Sequence, residues 1–102
     1  MAIAGRELRA ATDLHPSSER AIMNEADVLA TFTRILRDLL MDDGVVLTMD
    51  TRRPDVPNWD SFAYVNFIVA AEAELKIRFN VAEVESFETV GEIVAAAMAR
   101  LR

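Results

Sequence analysis

The sequence predicts an all-α fold of four helices, with a long loop after the first helix and a third helix of about one turn. Three observations predict it. Apolar residues recur at helical spacing in three segments, a proline-broken stretch separates the first two, and residues with capping chemistry stand where helices should begin. At 102 residues the chain is one small domain. It cannot enclose a large preformed substrate cavity without losing much of its stability.

Residues 1–24 show no sustained periodicity and include Pro16-Ser17-Ser18, so they read as a flexible leader with a short helical turn near residues 6–11. Met23, ahead of Asn24-Glu25-Ala26, is an alternative natural start, and residues 25–102 form the helical domain. The first helix is expected over residues 25–41, with Val28, Leu29, Phe32, Ile35, Leu36, Leu39 and Leu40 on one broad face. Asn24 is its cap, and Asp42-Asp43-Gly44 ends it, the glycine supplying a left-handed stop.

The connection over residues 42–60 contains Val45, Val46, Leu47 and Met49, too apolar to be wholly solvated, so part of it should lie on the core. Pro54 and Pro57 prevent a helix from running through it. Ordered loops of this length in small domains are usually functional.

The second helix, residues 61–75, carries two apolar stripes. Tyr64, Phe67, Ile68, Ala71 and Leu75 form one; Phe62, Val65 and Val69 form another on nearly the opposite side. The first stripe suits the core of a bundle, and the second needs a separate explanation. A short link over residues 76–79 leads to a single turn near residues 81–86. The last helix opens with Thr89 and Glu92 in capping-box spacing and continues through Val90, Ile93, Val94, Ala97, Met98 and Leu101. Arg100 and Arg102 suit its C-terminal end.

The composition excludes several chemistries. Without cysteine there is no disulfide, thiolate metal site or cysteine nucleophile. A net charge of −6 argues against nucleic acid and suits a partner protein with a basic patch. No apolar run approaches the ~20 residues of a membrane span, and the N-terminus lacks the pattern of a secretion signal, which leaves the cytoplasm as the expected compartment. The only histidine, His15, lies in the leader with no serine–acid arrangement around it. Asp42, Asp43, Asp50 and Asp55 lack the spacing of a calcium loop, and three glycines build no phosphate cradle. Neither an enzyme nor a metal site is expected.

Ser61 stands where the loop gives way to the second helix, within Asn58-Trp59-Asp60-Ser61-Phe62. It either caps that helix, sharing the duty with Asn58 or Asp60, or accepts a phosphate-linked group. Helix amides and dipole would favour an exposed phosphodiester there by ~0.3–1 kcal/mol. Phe62, Val65 and Val69 begin one residue later. They are either covered by the leader or the third helix, or form a docking surface with Glu72 and Glu74 on a charged rim.

Trp59-Asp60-Ser61-Phe62 and the helix that follows resemble the acyl carrier protein family, which carries an Asp-Ser-Leu-type motif at the start of its second helix. The likeness spans residues 26–101 and includes the segment Asn66 to Leu75, the link Lys76-Ile77-Arg78-Phe79 and the segment Phe87-Glu88-Thr89-Val90. It implies a discrete, monomeric acyl carrier with the family's four-helix bundle, modified on Ser61 with 4′-phosphopantetheine from coenzyme A. Asp60 would assist the phosphopantetheinyl transferase, and Trp59, Phe62, Val65, Val69 and Glu72 would dock partner enzymes. Acyl groups would travel as thioesters between enzymes of a fatty-acid, lipid or polyketide-type pathway. Phe32, Leu36, Phe67, Ile68, Ala71, Phe79 and Ile93 are the expected acyl-pocket lining.

Two departures from the family pattern stand out. Ala63, Asn66 and Ala73 occupy positions that are often acidic, which makes docking more apolar and favours a specialised pathway. Pro57-Asn58-Trp59 replaces the glycines that usually precede the serine in peptidyl carriers, without excluding a stand-alone aminoacyl carrier. Two rivals remain: a non-covalent helical interaction module, and a small hydrolase using Ser61, which would need a general base within hydrogen-bond reach.

Overall fold

The computed structural model describes residues 23–102, so the leader, apart from Met23 and Asn24, and His15 lie outside the described residues. Among the described residues there are four α-helices, one 3-10 turn and no strand. Helix α1 spans Glu25–Leu40 and α2 spans Ser61–Leu75; α3 is the short Val81–Ser86, and α4 is Val90–Leu101.

Each helix begins as side-chain chemistry directs. Asn24 caps α1, its Oδ1 accepting from the Asp27 amide at 2.9 Å while Asp27 Oδ2 accepts from the Asn24 amide at 3.0 Å. Asn80 and Glu83 make the same reciprocal pair at α3. At α4 the expected box is only half made. Thr89 accepts from the Glu92 amide, but the Glu92 carboxylate turns back to the Glu88 amide at 2.8 Å.

The end of α1 differs from expectation. Gly44 is not the left-handed stop; Met41 is, at φ 53°. Chain reversal occurs at the first residue past the helix because Met41 and Asp42 both direct their amides to the Arg37 carbonyl. Gly44 instead closes a side-chain turn, donating to Asp42 Oδ1 at 2.9 Å.

Helix α1 packs against both α2 and α4. Val28, Phe32, Ile35 and Leu36 meet Phe67, Ile68, Ala71 and Leu75, with Val90, Ile93, Val94 and Ala97 completing the core. Phe32 and Phe67 meet edge to face at 5.2 Å. No polar or charged side chain is buried among the described residues.

The long loop is part of this core, as its apolar content required. Val45, Leu47 and Val56 are buried, while Val46 faces outward. Pro54 sits in a 3-10 turn over Arg53–Asp55, a single turn that the proline permits at its start. Arg37 Nε donates to the Val45 carbonyl at 2.7 Å. The carbonyls of Thr51 and Met49 accept from the Val90 and Gly91 amides, both at 2.8 Å, so the loop satisfies the first orphan donors of α4.

This last contact leaves no room for a side chain. A Cβ on Gly91 would lie 2.7 Å from the Met49 carbonyl oxygen, a backbone atom that cannot swing aside. Alanine at an ordinary helix position would be favoured over glycine by ~1 kcal/mol. Here Gly91→Ala should instead destabilise the fold by about 1–3 kcal/mol, read as a lower urea midpoint with an unchanged slope.

Candidate functional site

Ser61 is exposed, and it is the first residue of α2 rather than its cap. Asp60 is the cap: its Oδ1 accepts from the Ala63 amide at 2.9 Å, and its carbonyl accepts from Tyr64. A carboxylate in that role leaves the Ser61 hydroxyl without a capping duty. The Ser61 and Phe62 amides belong to the first turn and have no intrahelical partner, so positive partial charge faces the hydroxyl.

Beside Ser61 opens a cleft of about 840 Å³. One wall is α2, through Tyr64, Val65 and Ile68. The opposite wall comes from the link and α3, through Phe79, Val81, Val84 and Phe87. Val90 and Ile93 of α4 line it as well, and Arg52, Arg53 and Arg78 border it together with Glu85 and Glu88.

Helix α3 is held to the bundle by few contacts. The Tyr64 hydroxyl donates to the Val84 carbonyl at 2.6 Å, and Phe79 meets Phe87 edge to face at 5.6 Å. Arg100 does more than complement the end of α4. Its Nη2 meets Glu83 at 2.6 Å and its Nε donates to the Arg78 carbonyl at 2.6 Å.

The predicted site residues divide between surface and interior. Phe62, Val65 and Val69 are 77%, 55% and 57% exposed, so α3 does not cover them. Trp59 needs correction as a docking residue: it is only 4% exposed. Its ring packs edge to face on Phe67 at 5.3 Å and lies 6.2 Å from Tyr64, because the loop delivers it onto the core. Glu72 is half-buried, and its carboxylate accepts from the Phe79 amide at 2.8 Å, so it shapes the link as well as bordering the cleft.

Of the expected pocket lining, Ile68, Phe79 and Ile93 border the cleft. Phe32, Leu36, Phe67 and Ala71 are packed wholly inside the core. Val81, Val84 and Phe87 were missed as lining. The signal available for the first two was their spacing of three residues in the short helix, which places both on one side of it. Among the described residues no three His, Asp or Glu side chains are grouped to hold a metal ion.

Tyr64 is the titratable group that the site perturbs. Burial raises its pKa above the usual phenol range; Arg53, whose guanidinium carbon lies 4.9 Å from the ring centroid, opposes the shift, and Glu92 adds to it. The folded phenol therefore ionises at higher pH than the unfolded one. Its contribution to stability is complete below the ordinary value near ~10 and is lost as pH rises through the folded value. Tyr64 is the chain's only tyrosine, so phenolate absorbance should titrate at higher pH in the folded protein than in urea.

Asp60 has a structural duty that can be separated from its charge. Asp60→Ala should lose about 0.5–2 kcal/mol, whereas Asp60→Asn, an equally good cap, should keep the native urea midpoint.

Comparison with known proteins bears on this geometry. No family model matches the chain. It is 37% identical over 75 residues to an acyl carrier protein, MbtL, of Mycobacterium tuberculosis strain H37Rv, covering 74% of this chain and 89% of that protein. The MbtL protein of Mycobacterium bovis matches to the same extent. The solution structure of a holo acyl carrier protein from Geobacter metallireducens superposes with a TM-score of 0.68 at 34% identity, covering 72% of this chain and 85% of that one.

Proposed function

The chain belongs to the acyl carrier protein family, a carrier rather than a catalyst, and we propose that Ser61 is where it bears 4′-phosphopantetheine. In this reading it conveys acyl thioesters between enzymes of a fatty-acid, lipid or polyketide-type pathway in the cytoplasm. No helix among the described residues is long and apolar enough to cross a membrane. The observation that carries the proposal is the division of labour at the start of α2: Asp60 caps, and Ser61 stands exposed beside the cleft.

The residues present fit such a group. Ser61 supplies the hydroxyl for the phosphodiester. The first-turn amides would favour its negative charge by ~0.3–1 kcal/mol, and Arg52 and Arg53 border the same cleft. When bound, the group supplies the thiol on which an acyl chain is held as a thioester. Everything else falls to the protein. Ile68, Phe79, Val84 and Ile93 offer apolar walls that keep water from a chain drawn into the cleft.

Docking falls to the outer face of α2. Phe62, Val65 and Val69 lie on the element that begins at Ser61, so an enzyme seated on them is brought beside the attachment point. The absence of acidic residues at positions 63, 66 and 73 makes this surface apolar at its centre. The transferase and the acyl-processing enzymes are the partners in this reading, and a monomer suits a shuttle between them.

Incubation with coenzyme A and a promiscuous phosphopantetheinyl transferase should add one phosphopantetheine to the intact mass, and none to Ser61→Ala. Val65→Asp should fold normally yet be modified or loaded at least tenfold more slowly, since it puts an unpaired charge in an apolar docking centre. If folded wild-type protein takes up no group, while Val65→Asp still abolishes function, the interaction-module reading replaces the carrier.

A further inference from the structure

Trp59 presents an unmet hydrogen-bond donor. Its indole Nε1 is the one buried side-chain polar atom without a partner among the described residues. Buried indole N–H groups ordinarily find an acceptor, and those that do not call for an explanation. The aromatic neighbours offer little. The rings against Trp59 are Phe67, which has no acceptor oxygen, and Tyr64, whose hydroxyl is engaged with the Val84 carbonyl. Trp59 is at the same time part of the cleft wall, together with Ser61, Tyr64 and Ile68.

We propose that the Trp59 indole N–H donates a hydrogen bond to an oxygen substituent on the acyl cargo, selecting hydroxylated or keto chains over plain hydrocarbon. This rests on the reading of Ser61 as the attachment point. A purely alkyl chain in the cleft leaves the donor unpaired, whereas a chain with an oxygen along its length meets it. A site built to hydrogen-bond one group discriminates strongly against the analogue that lacks it. Because Nε1 has no access to solvent, the oxygen reaches it only where a wall of the cleft gives way. The wall that yields is α3, six residues long and contributing no buried residue to the core.

Trp59 is the only tryptophan, so nitrogen-15-labelled protein shows a single indole cross-peak. The protein is loaded by a promiscuous transferase with either octanoyl- or 3-hydroxyoctanoyl-phosphopantetheine from the coenzyme A thioesters, and intact mass confirms each product. A protein that does not load defeats the carrier reading itself. In loaded protein, the indole proton is expected to move downfield with the hydroxyacyl chain and to stay at its phosphopantetheine-only position with octanoyl. The hydroxyacyl form should also have the higher Tm, and Trp59→Phe, which keeps a ring but no donor, should erase that difference. Equal shifts in both loaded forms would assign the donor to the thioester carbonyl common to every cargo and overturn the proposal. So would an indole proton already hydrogen-bonded in the unloaded protein, or a Tm difference that survives in Trp59→Phe.

Discussion

The burial of one indole fixes the geometry on which the rest depends. Trp59 is two residues ahead of Ser61, and its ring is pinned on Phe67, which is pinned in turn on Phe32. That run of edge-to-face contacts ties the end of a long loop to α2 and α1 together. Aromatic pairs of this kind add about 0.5–1.5 kcal/mol each beyond the area they bury. With Trp59 held inside, Asp60 falls at the cap and Ser61 at the first helical position. The exposure of Ser61 is thus a consequence of the burial of its neighbour but one.

The loop that carries Trp59 is equally constrained from the other end. Its Met49 and Thr51 carbonyls cap α4, and Gly91 lets the two backbones approach that closely. Against this rigid frame α3 is the exception. It is joined by one tyrosine hydroxyl, one aromatic pair, the reach of Arg100 and the partial packing of Val84 on the core, and it buries no residue fully. The frame holds the attachment point while the loosely held helix forms the wall of the cleft. Local openings come preferentially from such elements, with few buried contacts.

Much of this was legible in the residues. The four helices, the short third member and the partly buried loop follow from periodicity, two prolines and the apolar run at residues 45–49. So does the exposed second stripe of α2, because Phe62, Val65 and Val69 repeat at helical spacing away from the core face. What escaped were outcomes of competition among neighbours. Asp60 and Ser61 are both good caps, and only the backbone angle decides between them. Gly44 is the better left-handed residue, yet Met41 takes that conformation because the loop must turn sooner. Trp59 could have stacked outside; the space between Phe67 and Tyr64 decided otherwise. Arg100 bridges to residues far away in sequence, which no local pattern encodes.

The core described above holds no charged side chain, while the chain as a whole carries −6. The charged side chains of the described residues are therefore arranged around a neutral interior, where an excess of one sign works against compactness. Counter-ions screen such exposed charges over about 10 Å at ordinary ionic strength. The medium thus enters the balance twice, since salt that screens the surface repulsion also screens the Arg34–Glu74 and Arg100–Glu83 pairs.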